Sequence, residues 1–287
     1  LRALCLFLIL IAGLCAIPRN ACAQIYVIQF DVTDGIVSKY NATTGKLIDA
    51  NFITGLESPI FLGLFGNGLL VGGFRSSAIG KYNATTGAPI NLNFVTGLSD
   101  PEAITFMEGT LFSPQSFLFV ASVGGTIGKY DAETGATINA SFITGLVEQP
   151  IALAVFRPSS SEPPFIFAAT VVNGTIAKYN ATTGESINAN FITGLRFPSA
   201  LAVVGNTLLV ANEILGTVRK YDAITGELIK ANFIAGLDQP TSLALLGNKL
   251  FVTSLPGTVG EYDATTGAAI NASFITGLAF PEGLAVK

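Results

Sequence analysis

Short apolar runs broken by glycine-bearing turns recur along the chain from residue 24 onward. The copy opening at Pro198 is the cleanest. Pro198 to Val204 is an apolar run that stops at Gly205-Asn206, a tight hairpin pair. Thr207 to Ala211 is a second run, and Gly216 opens a third over Thr217–Asp222. Ala223-Ile224-Thr225-Gly226 turns the chain, with glycine supplying a positive φ, and Leu228–Ile234 reads as the fourth strand. The runs are apolar on both faces rather than alternating, as expected of a sheet buried between two others.

The pattern returns six times. Tyr40, Tyr82, Tyr130, Tyr179, Tyr221 and Tyr262 mark the third strands, at intervals of 42, 48, 49, 42 and 41 residues. Four short antiparallel strands in a period of this length predict a propeller blade rather than a parallel β-helix, whose coils are shorter. The fold class expected is all-β, a six-bladed propeller. First strands follow Pro59, Pro101, Pro150, Pro198, Pro240 and Pro281. Gln24–Phe30 matches a second strand, and Pro281–Val286 matches a first strand alone. Pairing Glu282–Val286 with Ile25–Phe30 would complete a composite blade and bury two open edges. Copies three and four carry extra residues at Met107–Ser116 and Arg157–Pro164, both between first and second strands.

Composition changes the picture mainly through what is missing. Half of the residues are hydrophobic and 12% are charged, which suits a large core. There is no histidine, and Cys5, Cys15 and Cys22 all lie near the N-terminus. Beyond residue 23 the sequence therefore excludes His-dependent triads, His/Cys zinc sites and disulfides. Arg2, the apolar run Ala3–Ile17 and Ala21-Cys22-Ala23 predict a secretory signal peptide over 1–23. The apolar run is too short to span a bilayer. Cleavage would leave a domain over 24–287 with 13 basic and 19 acidic residues, a balance of −6. That sign disfavours nucleic acid and anionic membranes as partners. A secreted or cell-envelope protein, with no membrane insertion after cleavage, is expected.

With Pro-x-x-Leu-Ala-Val, Gly-Asn, Leu-Phe-Val and Gly-Thr-Val in this order, the repeats resemble the NHL class of six-bladed propellers. They are similar to the Y-[ND]-A-T-T-G-x-x-I-N-A-x-F-I-T-G-L arrays of exported bacterial proteins. The resemblance implies a propeller over the whole of 24–287 and no particular activity. Ser122, Thr170, Asn212 and Ser254 stand where NHL repeats usually place an acidic residue closing the second strand, which departs from any borrowed ligand role. The expectation is a monomeric, non-enzymatic binding or surface-display scaffold whose partner is a protein or glycan.

A site should sit where residues break the sixfold sameness around the channel mouth. The inter-blade loops contribute Glu57, Asp100, Glu102, Glu148, Arg196, Asp238 and Glu282. Asp31, Asp34, Arg75, Asn173, Asn212 and Glu213 come from the loops between second and third strands. Glu102, Glu282, Asp31, Asn212, Glu213 and Asp100 are the binding candidates, with Glu102 and Glu282 in the same register. Carboxylates and amides of this kind suit Ca2+ or a similar hard cation. The gluconolactonase-like propellers imply the alternative, a metal-dependent lactonase-like hydrolase. Streptogramin-lyase chemistry needs histidine and is excluded. Asn41, Asn83, Asn139, Asn173, Asn180 and Asn271 each satisfy the glycosylation triplet, but a turn role explains the Asn-Ala-Thr-Thr-Gly cases. Lys39, Lys81, Lys129, Lys178 and Lys220 precede the tyrosines and are expected to be solvated edge guards.

Overall fold

A computed structural model describes residues 23–30, 34–111, 113–146, 148–158 and 162–287. The leader through Cys22, and Asp31, lie outside the described residues. The chain opens with β1 (Gln24–Phe30), β2 (Gly35–Asn41) and β3 (Leu47–Leu56). β4 (Pro59–Phe65), β5 (Gly68–Gly73), β6 (Ala78–Asn83) and β7 (Pro89–Thr96) form the second sheet. β8 (Pro101–Met107), β9 (Phe117–Ser122), β10 (Thr126–Asp131) and β11 (Thr137–Ile143) form the third. β12 (Pro150–Phe156), β13 (Phe165–Thr170), β14 (Thr175–Asn180) and β15 (Ser186–Ile192) form the fourth. The fifth holds β16 (Pro198–Val204), β17 (Thr207–Asn212), β18 (Thr217–Asp222) and β19 (Leu228–Ala235). The sixth holds β20 (Pro240–Leu246), β21 (Lys249–Ser254), β22 (Thr258–Asp263) and β23 (Ala269–Thr276).

The last strand, β24 (Leu284–Val286), returns to the beginning and lies beside β1 in a sheet ordered β24-β1-β2-β3. Val286, Ala285 and Leu284 stand opposite Ile25, Tyr26 and Val27. Backbone bonds from Gln24 N to Lys287 O and from Ile28 N to Gly283 O, at 2.8 and 2.9 Å, extend the seam at both ends. Six four-stranded antiparallel blades thus close into a ring, with head and tail sharing one blade.

The core lies between blades, not inside them. In β1, Tyr26 and Ile28 pack against Leu69, Val71 and Tyr82 of blade two. Ile25 and Val27, on the other face, pack against Phe251 and Val259 of blade six. Period-two side chains thus meet a neighbour on both sides, which is why the sequence shows no polar face. Each third-strand tyrosine, with the alanine two residues on, packs back onto the preceding blade: Tyr221 and Ala223 join Phe167 and Ile192 of blade four. The first part of every outer strand, by contrast, is exposed over five successive residues.

The lysine series corrects the expectation of solvated edge guards. Lys39, Lys129 and Lys178 are buried, between 5% and 8% exposed. A register shift in the fourth strand turns its phenylalanine inward beneath the lysine, placing Lys178 Nζ 4.7 Å from the Phe191 ring centre and 3.9 Å from that of Phe165. Lys39, Lys81, Lys178 and Lys220 then donate to turn carbonyls of the next blade, at Thr85, Glu133, Ile224 and Thr265. The reason is positional: the third strand is not the rim, and the fourth covers it. At the sixth position Glu261 replaces lysine and meets Lys249 Nζ at 2.5 Å.

The turn expectation holds for the Asn-Ala-Thr-Thr-Gly segments. Asn180 Oδ1 accepts from Thr182 N and Thr183 N at 2.8 and 3.0 Å, and Asp222 does the same for Ile224 N and Thr225 N. Asparagine and aspartate interchange there because both supply the same acceptor.

Candidate functional site at the channel mouth

The inter-blade loops reach the channel through a repeated backbone device. Ser58, Asp100, Phe197, Gln239 and Phe280, each immediately before a proline, hold φ between 40° and 56°. A bulky residue in that region, preceding proline, is strained on the order of 1–3 kcal/mol. The strain turns a carbonyl toward the neighbouring loop of the same blade. Phe74 N, Val123 N, Glu213 N and Leu255 N donate to Ser58 O, Asp100 O, Phe197 O and Gln239 O at 3.0–3.2 Å. The loop before the first strand is thereby tied to the loop after the second, and both are fixed around the mouth.

Within this frame lies a cavity of about 350 Å3, walled by the first strands of all six blades. The residue after each proline lines it. Around the ring these are Glu282, Ile60, Glu102, Ile151, Ser199 and Thr241. Glu213 and Phe197 complete the polar and aromatic parts of the wall. Ser199 Oγ donates to Pro240 O at 2.5 Å and Thr241 Oγ1 to Pro281 O at 2.8 Å, so each hydroxyl also fastens its blade to the next.

The carboxyl groups fall into two sets. Burial, reinforced by the charge of Glu213, pushes Glu282 up to about 7. Burial also raises Glu213. Burial and the charge of Asp100 raise Glu102, one of whose oxygens is buried without a hydrogen-bond partner among the described residues. Desolvation disfavours the charged form in each case. No group of three acidic residues gathers at one point as a metal cage among the described residues. A hard cation prefers six or more oxygen ligands.

The six binding candidates separate accordingly. Glu102, Glu282 and Glu213 converge on the cavity. Asp100 stands behind Glu102, contributing charge and the turned carbonyl. Asn212 is fully buried at the end of β17, bonding Val210 O through Nδ2 and receiving Arg196 N through Oδ1. Asp31 lies outside the described residues. Of the wider set, Glu57, Asp34, Arg75, Asn173, Arg196 and Asp238 are exposed, and Glu148 Oε2 accepts from Asn173 N at 2.9 Å. Sequence reasoning missed Ile60, Ile151, Ser199, Thr241 and Phe197. The signal was available: the position after each repeat proline varies in chemistry from blade to blade, from glutamate to isoleucine to a hydroxyl.

No family model matches the chain, and no curated protein matches it. Solved structures do. A chain of a nidogen–laminin complex superposes with a TM-score of 0.70 at 13% identity, covering 92% of this chain and 98% of its own length. The computationally designed Ika8 protein gives 0.56 at 15% identity, covering 92% and 91%. At these identities the likeness establishes the fold alone.

Proposed function

We propose that the protein is an exported, non-catalytic propeller, a binding or surface-display scaffold whose channel mouth receives a protein or glycan group. That group offers positive charge or hydrogen-bond donors to Glu282, Glu213 and Glu102. One observation supports this above others. The turn segment after each third strand is repeated almost unchanged, whereas the position after each proline changes from blade to blade, and there two glutamates, two isoleucines, a serine and a threonine face one cavity. A concave pocket in which apolar walls meet a few convergent polar groups is the usual form of a ligand site. The likeness to a chain of a nidogen–laminin complex is in keeping with a protein partner.

The test uses a short fluorescent peptide ending in lysine and its norleucine counterpart. The lysine peptide should bind, and E282Q should weaken it by about tenfold, the loss of one charge partner in a partly desolvated site. Equal binding of the two peptides, or indifference to E282Q, refutes the reading. If calcium instead raises the melting temperature by several degrees, and E102Q or E282Q abolishes the rise, the result favours the alternative, a metal-dependent lactonase-like hydrolase.

A further inference from the structure

The rim of the ring poses a problem that the repeat itself answers. Each blade ends in an outer strand whose first five residues are exposed, including Ile48, Ile90, Ile138, Ile187, Ile229 and Ile270, all 46–55% exposed. An exposed strand edge with apolar, β-branched side chains is a template for pairing with another chain. Here the template is presented six times over. The readiest occupant is a second copy of this chain, because antiparallel pairing of two like strands is self-complementary.

One position in each outer strand interrupts that template. Asp49 Oδ1 accepts from Asn51 N, Asn91 Oδ1 from Asn93 N, and Asn139 Oδ1 from Ser141 N, each at 3.0 Å. Asn188 and Asn271 do the same for Asn190 N and Ser273 N, at 2.9 and 3.1 Å. In all six outer strands, the Lys230 strand included, the ladder shifts register on either side of that position. The side chain thus occupies a backbone donor of its own strand, and the strand bends where an incoming edge would continue. The fifth blade has Lys230 here, which cannot accept a hydrogen bond but places a charge on the edge. Bulges and edge lysines are both recurrent defences of a free strand.

We infer that Asp49, Asn91, Asn139, Asn188, Lys230 and Asn271 are edge plugs that keep a second copy of the chain from adding strand-to-strand onto the rim. The inference is independent of what the channel binds. The test compares two fourfold variants of the full chain by light scattering across a concentration series. One carries Asp49→Val, Asn139→Val, Asn188→Val and Asn271→Val. The other carries valine at the exposed neighbours Ala50, Ala140, Ala189 and Ala272, adding similar apolar surface while leaving the acceptors in place.

The first variant should associate at about tenfold lower concentration than the wild type, with amide exchange slowed in the outer strands. The second should behave as the wild type does. A single Asn188→Val, which opens one strand per molecule and is the safer variant to fold, should stop at a dimer. Replacing Asn139, Asn188 and Asn271 by aspartate should leave the association state unchanged. The inference is overturned if the plug variants stay at the wild-type state, if the alanine-site variant associates equally, or if the wild type already pairs through these strands.

Discussion

At the scale of single residues, the near-identity of the turn segment has a cause beyond the turn. Gly184 holds φ at 80°, and a Cβ there would come within 2.3 Å of Phe142 O on the preceding blade. Gly45, Gly87, Gly135, Gly226 and Gly267 stand in the same way against Phe274, Phe52, Phe94, Phe191 and Phe233. The glycine is needed for its conformation and again for the close approach of two backbones. Gly184→Ala should therefore lower stability by about 2–4 kcal/mol, more than an exposed turn would lose. Urea denaturation measures it, and a loss below about 0.5 kcal/mol would contradict the close approach. The lysines follow the same logic. The ammonium groups of Lys39, Lys81, Lys178 and Lys220 cross from one blade's phenylalanine to the next blade's carbonyl, where cation–π attraction and a charged hydrogen bond add to packing.

At the scale of elements, β24 carries a role out of proportion to its three residues. It completes the innermost position of blade one, and its removal would leave β1 with an open edge at the centre of the ring. It would also uncover Tyr26 and Ile28, which pack with Ala285, and Ile25 and Val27, which pack with Leu284. A chain ending at Glu282 should lose cooperative thermal unfolding and aggregate at concentrations where the intact chain does not. Circular dichroism melts with light scattering report both. An unchanged melting temperature would mean that the seam contributes nothing to closure.

At the scale of the whole molecule, ring closure gathers carboxyl groups that are far apart in sequence. Glu282 follows the last proline and Glu213 the end of β17, yet the charge of one raises the other. A carboxyl group whose value is raised on folding binds protons more tightly in the folded state. The folded state is then favoured at low pH, and stability falls as pH rises from about 4.5 toward about 7. The penalty at pH 8 is on the order of 3 kcal/mol if the whole shift is realised. Glu282→Gln should consequently melt higher than the wild type at pH 8 and differ little at pH 5. A variant that is equally displaced at both values would place Glu282 outside the desolvated channel. The same ionisation bears on the proposed site: a cationic group should bind more weakly as the pH falls below about 7.

The repeat period, the proline at each first strand and the complementary ends specified six blades and the partner of β24, because strand periodicity and turn chemistry are local and each copy restates them. The convergence of Glu102 and Glu282 was legible for the same reason, through their shared register. Asn212 was misleading, since a residue beside the mouth in sequence proved to be buried in the loop's own hydrogen bonds. The lysines were misleading in another way: whether a side chain beside the outer strand meets water or a phenylalanine depends on a register shift that no local pattern announces. Only the closed ring set the cavity's lining, its burial and the raised carboxyl groups. Desolvation is a property of what surrounds a group in space, and that is decided by blades distant along the chain.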